Sequence, residues 1–287
     1  MPNTRGDTKY FAPSDMGEAL ELLEAHAGKI NILAGGTNLV PKINYAELKP
    51  EALLYVGKLG LDYIKEQDGK LLIGAATPVA KLRESDLVAQ KAPALAQAAK
   101  NFGGYSIRAS ATIGGNIANA SPAADLIPPL MVMDAELHLA SAHGERTVPA
   151  QVFCTEPGGC VLEPGEMIVE IAVPPRQGNT AFLKLGRRKA QTLAVMSIAV
   201  RLEMDGTMCR DARIALGSMA PTPLRCTEAE ALIKGKTLDG ALIAECAALA
   251  IAQSKPITDQ RGSAWYRKEA GTALVARALT QAAGLEG

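Results

Sequence analysis

The chain has 287 residues and no net formal charge, with 30 Lys and Arg set against 30 Asp and Glu; 48% of it is hydrophobic and only 4% aromatic. That length accommodates one large or two ordinary domains with a core built mainly from Ala, Leu, Ile and Val, and the balanced charge excludes the strong positive field that nucleic acids or anionic membranes demand. No apolar stretch reaches the ~18–20 residues of a bilayer span and residues 1–10 lack the apolar run of a secretory signal, which predicts a cytoplasmic chain without a membrane span.

Asp15-Met-Gly-Glu18 has the form of a capping box, and Ala19, Leu20, Leu22 and Leu23 make one helical stripe behind it. A strand at 30–34 follows, then an apolar run at 52–56 and a hairpin, 63–66 and 70–74, turning at Asp68-Gly69. Thr77-Pro78 reads as an N-cap with proline at the first helical position, and 87–101 as one Ala-rich helix. The Gly-rich stretch 102–119 interrupts all periodicity. Strands are expected at 135–140 and 166–173, with His143-Gly144 turning into a short strand at 146–148. Pro174-Pro175-Arg176-Gln177-Gly178 can continue neither helix nor strand and marks a domain boundary. Beyond it, 181–187, 194–204 and 208–217 form a three-stranded meander, the last two strands joined at Asp205-Gly206. Helices over 227–234, 238–253 and about 262–283 complete the chain.

Five cysteines, Cys154, Cys160, Cys209, Cys226 and Cys246, include no C-x-x-C pair. This argues against a disulfide framework, a zinc knuckle or an iron–sulphur cluster within the chain, and reads as reduced structural thiols. His26, His138 and His143 are not presented as neighbours on one helical face, and Ser121 lacks the G-x-S-x-G elbow of a hydrolase. No residue is therefore assigned a catalytic or metal-ligating role. What stands out is a pair of segments, Asn31-Ile-Leu-Ala-Gly35-Gly36-Thr37-Asn38 and Thr112-Ile-Gly114-Gly115-Asn116, each with paired glycines beside small hydroxyl or amide side chains. Glycine lets consecutive N–H groups close on an anion, and Thr and Asn add donors, so two such loops suit the two phosphates of a dinucleotide. Neither is a Walker loop or a G-x-G-x-x-G turn; the plain alternative for Gly35-Gly36 is a turn that ends a strand.

Four stretches, AGGTNL at 34–39, IRASATIGGNI at 107–117, SPAAD at 121–125 and APTPLR at 220–225, resemble the FAD-binding (medium) subunits of the xanthine dehydrogenase and carbon monoxide dehydrogenase family of molybdenum hydroxylases. The resemblance implies an α+β chain: a two-lobed FAD-binding domain of the vanillyl-alcohol-oxidase (PCMH) type over 1–175, then a smaller C-terminal flavoprotein domain, a three-stranded antiparallel sheet with helices, over 179–287. It implies FAD contacts from Ala34, Gly35, Gly36, Thr37, Asn38, Leu39, Thr112, Gly114, Gly115 and Asn116. Asp125 would reach a sugar or ribityl hydroxyl, the alternative being an exposed first-turn carboxylate. Lys184, in FLKLGRRK at 182–189, resembles the family lysine near the flavin, the alternative being a solvated strand-face lysine. The chain departs from the family with Ser106 and Ala109 around Ile107-Arg108, where Gln and Asn are frequent, and with Asn38 for a frequent Asp. The implied function is electron transfer in an oxidoreductase: from [2Fe–2S] clusters of a small partner subunit, through FAD, to NAD+ or another carrier. The organic substrate would be oxidised at the molybdopterin cofactor of a large partner subunit, in a dimer of heterotrimers. Two alternatives are a self-sufficient FAD oxidoreductase of the UDP-N-acetylmuramate dehydrogenase type and a flavin-free scaffold subunit.

Overall fold

The structure, a computed structural model, describes residues 8–188 and 191–285. The elements in chain order are β1 (Lys9–Phe11), α1 (Met16–Ala25), β2 (Ile30–Leu33), α2 (Leu39–Asn44), β3 (Ala52–Tyr55), β4 (Ile64–Gln67), β5 (Lys70–Gly74), α3 (Val79–Glu84), α4 (Asp86–Lys91), α5 (Pro93–Lys100), α6 (Tyr105–Ser110), α7 (Ile113–Ala118), α8 (Ile127–Val132), β6 (Glu136–Ser141), β7 (Gly144–Pro149), β8 (Cys154–Glu156), β9 (Gly159–Cys160) and β10 (Met167–Val173). They continue with β11 (Asn179–Gly186), β12 (Ala194–Asp205), β13 (Met208–Gly217), β14 (Leu224–Arg225), α9 (Thr227–Ile233), β15 (Lys236–Thr237), α10 (Gly240–Ala252) and α11 (Ala264–Ala283).

The fold is α+β, as expected. A small parallel sheet, β1-β3-β2, forms the first lobe, where helical crossovers return the chain in the same direction. Asp15 Oδ1 accepts from Glu18 N and starts α1, whose Ala19 and Leu23 pack with Leu54 and Val56 of this lobe. The second lobe is an antiparallel sheet, β4-β5-β10-β6-β7, whose apolar face meets α3, α5 and α8 in the largest core. Asp68 and Gly69 both have positive φ, which gives the tight β4–β5 turn its hairpin twist. The third sheet is β11-β12-β13-β14, with β15 beside β13; three long strands are thus lengthened by two short ones. In β12, Ala194–Leu202 are buried without alternation because both faces are covered. Ala199 joins the core of the second lobe, while Met196, Ile198 and Val200 face Cys246, Val275 and Leu279 of α10 and α11.

Residues 174–178 lie outside regular structure. Three local expectations fail for identifiable reasons. The helix expected over 87–101 is broken, because Pro93 cannot continue α4 and instead opens α5 at its first position. Thr77 is not a cap: its fully buried hydroxyl donates to Tyr63 O at 3.0 Å and accepts from Tyr63 N at 3.1 Å, and Pro78 holds the cap position of α3. Within 102–119, two six-residue helices, α6 and α7, form where no period was legible. No helix among the described residues is long and apolar enough to cross a membrane.

Candidate functional site

The two glycine segments meet at the bottom of a cleft of about 1340 Å³ that runs between the lobes to the edge of the third sheet. The contact is intimate. A Cβ on Gly35 would stand 1.7 Å from Ser110 O and 2.5 Å from Ser110 C, so only glycine lets the end of β2 touch the turn between α6 and α7. A second link is Asn38 Nδ2 donating to Asn119 Oδ1 at 2.8 Å. An aspartate at 38 could not donate this bond and would instead have to accept from the Asn119 amide turned the other way.

The segments are not equivalent chemically. In the first, Val40 N donates to Gly36 O, and among the described residues the N–H groups of Gly35, Gly36, Thr37, Asn38 and Leu39 have no internal acceptor. Gly36 has φ of +69°, which curls this run into a concave nest of donors suited to an anion. In the second, the N–H groups are already spent: Ile113 donates to Thr77 O, Gly114 to Ala75 O, Gly115 to Thr112 Oγ1 and Asn116 to Thr112 O. Thr112 is therefore an N-cap, and a Cβ on Gly114 would fall 2.7 Å from Ala75 O, so Gly114 serves packing. Gly115 is exposed in the cleft, and Asn116 Oδ1 accepts from Leu126 N, tying α7 to the segment that bears Asp125. The first segment thus offers free backbone donors to the cleft, while the second, with its own donors paired internally, lines the wall through Thr112, Gly114, Gly115 and Asn116.

Asp125 and Lys184 come together from opposite parts of the chain. Lys184 Nζ lies 2.5 Å from Asp125 Oδ2 and 3.3 Å from Asn101 O, with the two side chains only 5% and 7% exposed. Both solvent-facing alternatives are thereby excluded. Burial pushes the Asp125 carboxyl above its ordinary range, and the Lys184 ammonium pulls it part of the way back. Asp125 Oδ1 is buried without a hydrogen-bond partner and belongs to a residue that lines the cleft. A buried orphan acceptor is costly unless a ligand donor meets it. The nest of free N–H groups and this lone carboxylate oxygen are what a dinucleotide with phosphates and sugar hydroxyls requires, so the cleft fits FAD.

Sequence reasoning missed two contributors. Arg108 Nη1 donates to Phe102 O and Gly103 O, folding the Gly-rich stretch into the cleft wall, although its place in the IRASATIGGNI run was a signal. The turn after β11 supplies Arg188, Gln191, Thr192 and Leu193 to the lining, and a Cβ on Gly104 would meet Gln191 at 2.8 Å. Lys189 lies outside the described residues. No group of three or more His, Cys, Asp or Glu that could hold a metal occurs among the described residues.

The class defined by this fold and cleft is a dinucleotide-binding α+β protein whose site is closed by a carboxyl-terminal sheet. Comparison with known proteins makes it particular. Residues 6–176 match the family described as the FAD-binding domain in molybdopterin dehydrogenase, and residues 181–282 the CO dehydrogenase flavoprotein C-terminal domain. The chain is 32% identical to the glyceraldehyde dehydrogenase medium chain of Sulfolobus acidocaldarius, over 96% of this chain and 98% of that one. It superposes with a TM-score of 0.93 on a solved carbon monoxide dehydrogenase from Hydrogenophaga pseudoflava, at 35% identity over 96% and 97% of the two chains. Quinoline 2-oxidoreductase from Pseudomonas putida 86 matches with a TM-score of 0.92, at 28% identity over 97% and 98%. The chain belongs to the FAD-binding family of molybdopterin dehydrogenases, as an oxidoreductase subunit of the molybdenum hydroxylase type.

Proposed function

We propose that the cleft holds FAD and that the chain relays electrons from [2Fe–2S] clusters of a small partner subunit to an external acceptor. A large molybdopterin subunit would oxidise the organic substrate. The observation that carries the site assignment is the run of N–H groups at Gly35–Leu39, without an acceptor among the described residues, in the same cleft as the orphan oxygen of Asp125. The nest takes the pyrophosphate, with the Thr37 and Asn38 side chains at its rim. Asp125 Oδ1 accepts from a hydroxyl of the ribityl chain or ribose, and Lys184, already committed to Oδ2, holds that carboxylate charged and oriented. Bound FAD supplies the exchange between two-electron and one-electron transfer.

We further infer a division at residues 174–178 into an FAD-binding domain, 1–175, and a C-terminal domain, 179–287, which the two family matches support. Relatives whose names specify glyceraldehyde, carbon monoxide and quinoline share this one architecture, which supports placing substrate choice in another subunit. Assembly as a dimer of heterotrimers and a cytoplasmic setting belong to the same proposal.

The test is an anaerobic reconstitution in which flavin bleaching is followed after substrate is added to the isolated chain and then to the chain with its partners. Bleaching only with both partners present supports the relay. Bleaching of the isolated subunit would instead establish a self-sufficient oxidoreductase, and a folded chain purified without colour a scaffold. The cofactor itself is released and weighed: FAD is expected, and FMN alone would overturn the dinucleotide assignment.

A further inference from the structure

Cys154 and Cys160 stand opposite each other, Cα to Cα, in the β8–β9 hairpin. Val161 N donates to Phe153 O at 3.0 Å. In an antiparallel ladder a bond between the flanking residues makes the enclosed pair a non-hydrogen-bonded one, the kind whose Cα atoms approach to ~4.5 Å with side chains closest. Disulfides span Cα separations of ~4.4–6.8 Å. Both cysteines are half-buried on one face of the hairpin against the core of the second lobe, whereas Cys209, Cys226 and Cys246 are buried. The hairpin is also part of the cleft: Gly158 N donates to Ala120 O at 3.0 Å, and Gly158 and Leu162 line the cavity.

We propose that Cys154 and Cys160 form a disulfide-forming modification site in the wall of the cleft, closed by a peroxide. One sulfur attacks a peroxide oxygen, the O–O bond breaks, the second oxygen leaves as water, and the sulfur becomes a sulfenic acid. The other sulfur then attacks it, the S–S bond forms, the S–O bond breaks and a second water leaves. Two thiols and one peroxide thus give one disulfide and two waters. Burial and the adjacent Cys160 push the Cys154 thiol up to about 11. The Cys154 thiolate is therefore scarce at neutral pH, and its reaction accelerates as the medium becomes alkaline.

The experiment treats the full chain with hydrogen peroxide, unfolds it, blocks free thiols with iodoacetamide and digests it with trypsin without reduction. Cleavage after Arg146 and Arg176 leaves both cysteines in one peptide, residues 147–176. That peptide is expected unalkylated and lighter by two hydrogens, while Cys209, Cys226 and Cys246 carry the alkyl group. The yield at a fixed time rises from neutral to alkaline pH. Cys154→Ser and Cys160→Ser each abolish the mass loss and leave a sulfenic acid that dimedone captures on the remaining sulfur. The proposal is overturned if the wild-type peptide keeps two alkylatable thiols where the single variants are oxidised, or carries separate sulfinic acids, or is bridged to another chain.

Discussion

Gly35 and Gly115 look interchangeable in the sequence, yet their surroundings predict different failures. A side chain at 35 must displace the backbone of Ser110, so Gly35→Val is expected to destabilise the apoprotein by about 1–3 kcal/mol or more and to lose flavin as well. At 115 the nearest obstacle is Thr112 Oγ1 at 2.9 Å. Gly115→Val should cost at most the cap, about 1 kcal/mol, while emptying the cleft. Thermal melts of the apoproteins, read beside the ratio of flavin to protein absorbance, separate the two; equal melting temperatures with full flavin in both variants would refute the site. Lys184→Met removes the hydrogen-bonded cation from a buried carboxylate and is expected to cost about 3–5 kcal/mol. The sign with pH follows from Asp125, whose folded pKa is raised. The folded chain then binds its proton more tightly than the unfolded chain, so the penalty is full above the folded pKa and is relieved as pH falls through it. The gap in melting temperature between Lys184→Met and wild type should therefore narrow as the pH is lowered toward the carboxylate range, and a constant gap would contradict this account. The sequence announced Asp125 and Lys184 through their neighbouring motifs. It could not announce their contact, which depends on β11 reaching the segment that leads into α8 across 59 residues.

Local elements were legible where a chemical signal stands next to a period. Asp15 before the Ala19–Leu23 stripe located α1, and Asp68-Gly69 and Asp205-Gly206 located two hairpins, because a cap or a positive-φ turn is written in a few adjacent residues. The helices around the cleft were not legible. α2, α6, α7 and α8 have six residues each, too few for a 3.6-residue period to repeat, and α2 and α8 carry prolines in their first turn. Tertiary contacts, not propensity, sustain such short helices. The longest helix shows another kind of dependence. Arg267 of α11 is fully buried, bonds Val195 O and Ser218 O through Nη1, and meets Asp259 Oδ1 at 2.7 Å. Replacing it by Met leaves two buried carbonyls without this donor and Asp259 held by Arg261 alone. The expected loss is about 3–5 kcal/mol, measured by denaturant unfolding; a loss below about 1 kcal/mol would show that α11 is held by its apolar face alone.

The two family-matched parts of the chain share a core, since Phe182, Ala199 and Ala215 of the third sheet belong to the cluster built on Leu95, Leu130 and Ile171. Charge reinforces the joint. Asp134, in the left-handed region at φ of +51°, lies 3.1 Å from Arg176, 3.6 Å from Arg201, 3.5 Å from Arg213 and 3.6 Å from Arg225, three of which lie on the third sheet. Unfolding is accordingly expected as one calorimetric transition, with agreement between van't Hoff and calorimetric enthalpies; two resolved transitions would mean that the interface is weaker than its packing implies. Asp134→Ala should lower the single melting temperature, because Arg201 and Arg213 are then left with Asp211, Arg225 with Glu230, and Arg176 loses its Asp134 contact. The touch between Gly35 and Ser110 also sets where the chain can be lengthened. The exposed Asp68-Gly69 turn lies between the two segments in sequence but outside the cleft lining, so a tag grafted there adds only loop, whose entropic cost grows slowly with length. One extra residue between Ala111 and Thr112 would shift the capped start of α7 and part the two surfaces. For anyone wishing to label this subunit with its cofactor in place, the long insertion is the harmless one and the single residue the ruinous one.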